Sequence, residues 1–149
     1  MWLFLPFGYY SIAEKKPNSK EMEIMGKLPS EDCLVIRTRT KGDLERFLEY
    51  VDEDEQSAIC HDTGTDYQYR AWVTRSAVAK MMTQFIGTIN YSKFKPQVSK
   101  ALPNEPHHSV FMNIWSVLWG LSPNDRYRGY SYYDDVHNHP ESFFYSNKS

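Results

Sequence analysis

Cysteine is scarce in this chain of 149 residues: Cys33 and Cys60 are the only two. Two thiols make no disulfide framework, so the fold must stand on its core, and a reduced, cytoplasmic setting is the expectation. Long apolar runs are missing as well. None approaches the ~20 residues of a membrane-spanning helix. The opening Met1-Trp2-Leu3-Phe4-Leu5-Pro6-Phe7 has no basic leader ahead of Gly8, so neither a secretory signal nor membrane association is expected. There is no cationic excess: 17 Lys and Arg against 19 Asp and Glu give a net charge of −2. That balance argues against a histone-like nucleic-acid binder and a polybasic membrane anchor. Also absent are Gly-x-Ser-x-Gly, a phosphate-binding glycine loop, a dinucleotide fingerprint and Cys-x-x-Cys. No catalytic residue, cofactor or resident metal is assigned on this basis, and a non-enzymatic role is expected.

What remains is an ordinary globular composition with one excess. Hydrophobic residues are 41% and charged residues 24%, which excludes a disordered tail protein. Aromatics reach 15%. The length suits one domain able to bury roughly 70% of its unfolded surface. The reading is a single α+β domain over residues 1–121, followed by an aromatic-rich tail over 122–149.

Within the domain, Met1 to Phe7 reads as a strand, and Tyr9-Tyr10-Ser11-Ile12 returns beyond Gly8 as a hairpin. Residues 15–30, with Lys15-Lys16-Pro17-Asn18-Ser19-Lys20 and Gly26, read as loop. Leu34, Ile36 and Thr38 alternate with Val35, Arg37 and Arg39, the mark of a half-buried strand. Leu44, Phe47, Leu48 and Val51 then form one helical stripe, with Thr40 at the N-cap and Asp43 in the first turn. A short strand at 58–60, a turn at 62–66 and a strand at 67–73 follow. A helix from about Ser76 presents Val78, Met82, Phe85, Ile86 and Ile89. Pro106 suits a first helical position. The helix after it is apolar almost all round, through Phe111, Ile114, Trp115 and Leu118, and is expected to be buried against the sheet or another subunit. This order predicts a split βαβ sandwich, ferredoxin-like or ACT-like, with an N-terminal β-hairpin and an extra C-terminal helix. Helices on one sheet face would leave the other free to bind.

Four segments carry a resemblance: Gly8-Tyr9-Tyr10-Ser11-Ile12 after Met1-Trp2, Val35-Ile36-Arg37-Thr38-Arg39 followed by Asp43-Leu44, Gly64-Thr65-Asp66-Tyr67-Gln68-Tyr69-Arg70, and Ile89-Asn90-Tyr91-Ser92-Lys93-Phe94-Lys95. Over residues 1 to about 118 the chain resembles a family of small, uncharacterised bacterial proteins, with Asp-Tyr-x-Tyr-Arg as the most specific part. The resemblance implies one compact domain and no activity. It draws attention to Asp66, Tyr67, Tyr69, Arg70, Tyr91, Phe94 and Lys95.

Charge is distributed unevenly. From Tyr67 to Asn104 there is no Asp or Glu, yet Arg70, Arg75, Lys80, Lys93, Lys95 and Lys100 occur among Tyr67, Tyr69, Trp72, Tyr91 and Phe94. Cations beside exposed rings are the ingredients of an anion or single-stranded nucleic-acid platform. The alternative is core tyrosines with a solvated cationic edge. Conversely, Glu49, Asp52, Glu53, Asp54 and Glu55 crowd the end of the first helix, where the macrodipole disfavours anions. Either the helix stops by Val51, or these acids face a cationic partner, such as the basic segment of a second copy. His61-Asp62-Thr63 and His107-His108-Ser109 have the composition of a two-histidine phosphoesterase but not its facing strands. Asp135-x-His137-x-His139 offers metal-capable groups, though a polar loop fits as well. The tail's tyrosines and phenylalanines suit packing or a partner anchor.

Three functions follow in order. The first is a non-enzymatic module for protein–protein interaction or regulation, with a protein partner or a homo-oligomer such as a dimer. The second is nucleic-acid or nucleotide-phosphate binding. The third is the two-histidine phosphoesterase. The candidate binding residues are Tyr67, Tyr69, Arg70, Trp72, Tyr91, Lys93, Phe94 and Lys95.

Overall fold

A computed structural model describes residues 1–61, 64–118 and 121. The chain divides into two compact units, Met1–Ala101 and Leu102–Ser149. The tail at 122–149, with Asp135, His137 and His139, lies outside the described residues, as do Asp62 and Thr63.

The first unit is built on a four-stranded sheet, and the class is α+β. Strand β1 (Trp2–Leu5) turns at Pro6-Phe7 into β2 (Gly8–Ala13), pairing Phe4 with Tyr9 and Leu5 with Gly8. Gly8 is required there, because a Cβ would run into the Tyr10 hydroxyl and the Asp43 carboxyl. β3 (Cys33–Thr38) lies antiparallel to β2 with Ile36 opposite Ile12, and β4 (Tyr69–Thr74) lies antiparallel to β3 with Trp72 opposite Val35. The sheet order is β1-β2-β3-β4. Each strand therefore pairs with its neighbour in sequence, whereas a split βαβ unit inserts a strand between two parallel ones. The expected ferredoxin-like or ACT-like pairing is replaced by an antiparallel meander with helices in its connections.

Helix α2 (Lys41–Leu48) starts where the sequence predicts, with the Thr40 hydroxyl accepting from Asp43 N–H at 3.2 Å. Helix α3 (Arg75–Gly87) starts the same way, with the Thr74 hydroxyl accepting from Ala77 N–H at 3.2 Å. Both pack on one sheet face. Tyr10, Ile12, Ile36, Ala71 and Val73 meet Leu44, Phe47 and Leu48 of α2 and Ala77, Val78 and Met81 of α3. The stripe of α3 sits nearer its N-terminus than the apolar spacing suggests: Met82 and Phe85 are partly buried, while Ile86 and Ile89 are exposed.

The opposite sheet face is covered along β3 and β4, not free throughout. Residues read as loop form helix α1 (Ser19–Met25), started by a capping box in which Asn18 Oδ1 accepts from Glu21 N–H at 2.9 Å and Glu21 Oε2 accepts from Asn18 N–H at 2.8 Å. Beneath it lies a small second core of Cys33, Val35, Cys60 and Trp72, with Ala13, Met25 and Leu28 packed against it. The predicted strand at 58–60 is reduced to isolated bridges along β4, Gln56 to Val73 and Cys60 to Arg70. α2 stops at Leu48, and Glu53–Glu55 form a single 3-10 turn. Most of the acidic run thus lies beyond the helix, with Asp52 paired to Lys80 of α3 at 3.0 Å. Helix α4 (Phe94–Ala101) completes the unit.

Of the second unit, the described part is dominated by α5 (His107–Leu118), whose first turn closes from Val110 N–H to the Pro106 carbonyl at 3.0 Å. Val110, Trp115, Val117 and Leu118 are exposed along it.

Candidate binding surface

The residues singled out from sequence do not share one surface. Arg70 and Trp72 point to the sheet face covered by α1, and both are buried, at 2% and 1% exposure. The Arg70 guanidinium donates to Glu21 Oε1 at 2.7 Å through Nη1 and to the Thr65 hydroxyl at 2.8 Å through Nη2. The Trp72 indole donates to the Lys15 carbonyl at 2.7 Å. These two residues hold the covering segments onto the sheet, so the exposed cation–aromatic platform expected at them is not there. Tyr69 leans the other way, against the larger core. Tyr91 and Lys93 lie in the connection after α3, half-buried and exposed respectively, and Phe94 and Lys95 open α4.

Tyr67 belongs to a cation–aromatic cluster whose other members are not among the sequence candidates. Cross-strand register puts Trp2, Phe4, Tyr9, Ser11 and Arg37 on the same sheet face. There the Tyr9 ring meets Phe4 at 4.8 Å between centroids and Trp2 edge-on at 6.0 Å. Its hydroxyl lies 3.2 Å from that of Tyr67. Burial, followed by the bond to Tyr67, pushes the Tyr9 phenol well above its ordinary value, so the Tyr9 hydroxyl keeps its proton at physiological pH. Two guanidiniums sit over the Tyr67 ring, Arg37 at 5.0 Å and Arg39 at 5.6 Å from its centroid. Arg39 is also exposed and paired with Asp66 at 2.9 Å. Trp2 is 69% exposed. Rings and cations thus run as one band from the β1–β2 hairpin to the end of β3. The signal was present in the sequence: Arg37 and Arg39 stand two apart, the spacing that puts side chains on one side of an extended segment.

The thiols of Cys33 and Cys60 lie in the smaller core and are pushed up in pKa mainly by burial, so they pack as small apolar groups. His107 and His108 occupy the first turn of α5. That placement denies the second triplet the strand position a two-histidine phosphoesterase needs. Among the described residues, no helix is long and apolar enough to cross a membrane. No family model, no curated protein and no solved structure matches this chain.

Proposed function

We propose that this protein is a non-enzymatic binding module that recognises a protein partner through the Trp2–Phe4–Tyr9–Tyr67 band and its two arginines. The observation that carries this reading is Trp2, an indole 69% exposed at the end of a packed row of rings. Trp, Tyr and Arg are the side chains that dominate protein–protein hot spots, since a preordered ring gives contact area at little entropic cost. The band itself is preordered by ring contacts and by the Tyr9–Tyr67 hydroxyl contact. The family resemblance, to small bacterial proteins without assigned activity, is compatible with this reading and adds no chemistry to it.

Five cations are already matched within the chain, which favours a protein over a nucleic acid as the ligand at this band. Arg39, Arg46, Arg70, Arg75 and Lys80 each pair with a carboxylate of the same chain, at 2.6–3.0 Å. A strand of phosphates would have to displace those acids. The test is affinity capture with the wild-type chain beside Trp2→Ala and Arg39→Ala variants whose folding is confirmed by circular dichroism. A protein retained by the wild type and lost from Trp2→Ala is the expected result. Binding of oligothymidylate that weakens steeply between about 50 and 200 mM salt, with no Trp2-dependent protein captured, overturns the proposal.

A further inference from the structure

We infer that Arg37 is the anchor for a carboxylate supplied by the partner, so that the segment recognised by this surface is acidic. The inference rests on the protein-binding reading above and specifies the chemistry of the ligand. Arg37 is half-buried on the second sheet face, directly opposite Arg70 across the β3–β4 ladder. Two like charges facing each other on a sheet repel unless each is matched. Arg70 is matched by Glu21 at 2.7 Å. Arg37 has no carboxylate among the described residues: its Nη2 donates to the neutral Ser11 hydroxyl at 2.7 Å, and its Nε is buried without an acceptor.

One side of it meets a ring. The guanidinium lies over the Tyr67 ring, a contact that supports the cation without neutralising it. A partly desolvated guanidinium attracts an anion more strongly than one in bulk water, and its fork matches a carboxylate in two parallel hydrogen bonds. One unmatched arginine suits one carboxylate. The neighbouring Arg39 already shows the arrangement, paired with Asp66 over the same ring. A polyphosphate ligand calls for several unmatched cations, which this band does not supply. The occupant that fits is therefore an acidic protein segment with apolar or aromatic flanks. Its carboxylate would meet Arg37, and its flanks would meet Trp2 and Phe4.

The experiment uses a glutamate–tyrosine copolymer as probe, a lysine–tyrosine copolymer as its charge-reversed control, and the full chain. Binding is followed by fluorescence anisotropy of the labelled copolymer. The glutamate–tyrosine copolymer is expected to bind, and the lysine–tyrosine copolymer is not. Arg37→Gln should weaken binding by about tenfold, the scale of one charge-assisted hydrogen bond. Arg37→Lys, which keeps the charge and loses the fork, should recover part of it. Equal binding by Arg37→Gln, its fold verified by an unchanged thermal midpoint, overturns the inference; if that variant unfolds, Arg37→Lys binding as tightly as wild type does so instead. Competition by inorganic phosphate or oligothymidylate at concentrations where acetate has no effect overturns the carboxylate assignment. If no copolymer binds while a Trp2-dependent protein is still captured, the acidic-partner inference falls and the protein-binding reading stands.

Discussion

Glu21 and Arg70 join two elements through one carboxylate: Oε2 closes the capping box of α1, and Oε1 receives the Arg70 guanidinium of β4 at 2.7 Å. The two side chains are only 4% and 3% exposed. Glu21 is also the only buried residue of α1, so this helix is seated by an ion pair together with the partly buried Met25. A seven-residue helix has little stability of its own. Removing either partner leaves a buried charge uncompensated, at a cost of about 3–5 kcal/mol. Glu21→Ala and Arg70→Ala are each expected to lower the free energy of unfolding by that much in urea titrations. Replacing both by apolar residues of similar volume should recover most of the loss.

At the hairpin, Gly8 is expected to tolerate no side chain. A Cβ would collide with the Tyr10 hydroxyl and press on Asp43. The Asp43 carboxylate accepts from Tyr9 N–H at 3.2 Å and pairs with Arg46 at 2.6 Å. Gly8→Ala should destabilise by about 1–3 kcal/mol, the range for overpacked sites. Thermal denaturation by circular dichroism measures it, and an unchanged midpoint would mean that the turn yields at no cost.

Thr40 and Thr74 cap α2 and α3 by the same geometry. Thr40→Ala should cost about 1 kcal/mol. Thr74→Ala should cost at least as much, because the Thr74 hydroxyl also takes part in contacts with Glu55 and Ser76. Thr40→Ser, which keeps the oxygen, should stay near wild type.

Stability should fall on the alkaline side. Burial raises the Cys33 and Cys60 thiols above their ordinary value of 9.0, and the Tyr9 phenol above 10.0. The folded chain therefore keeps these protons at a pH where the unfolded chain has lost them. Their contribution is complete below the unfolded values and is lost as pH rises through 9.0 and then 10.0 toward the folded ones. Urea midpoints measured from neutral pH upward should decline across that window. In the native state both thiols should react with a disulfide reagent far more slowly than in denaturant.

Helix α2 was legible in the sequence because its stripe and its cap agree. The β1–β2 hairpin and β3 were legible through alternation about Gly8 and from Leu34 to Thr38. α1 was hidden behind Lys15-Lys16-Pro17, although Asn18 and Glu21 spell a capping box; over seven residues, Met22 and Met25 make too short a stripe for periodicity to register. The strand pairing was not legible at all, since helices between strands are compatible with several topologies. Tyr67, Arg70 and Trp72 share composition with a binding platform, and only the covering of the second sheet face by α1 separates a buried arginine from an exposed one. Arg37 shows the converse: it reads as the polar side of an ordinary strand until cross-strand register sets it beside Tyr9 and Ser11.

Because each strand lies beside its sequence neighbour, the sheet can assemble in the order in which the chain is synthesised, hairpin first and β4 last. Each strand waits only for its sequence neighbour, and the longest closure is the one that brings Tyr69 beside Thr38 around α2. Completion depends on β4, which brings Arg70 to Glu21 and Trp72 to the Lys15 carbonyl. A nascent chain halted before Tyr69 would present α1 and the inner edge of β3 without their counterparts, and at that point in synthesis it would be most exposed to proteolysis.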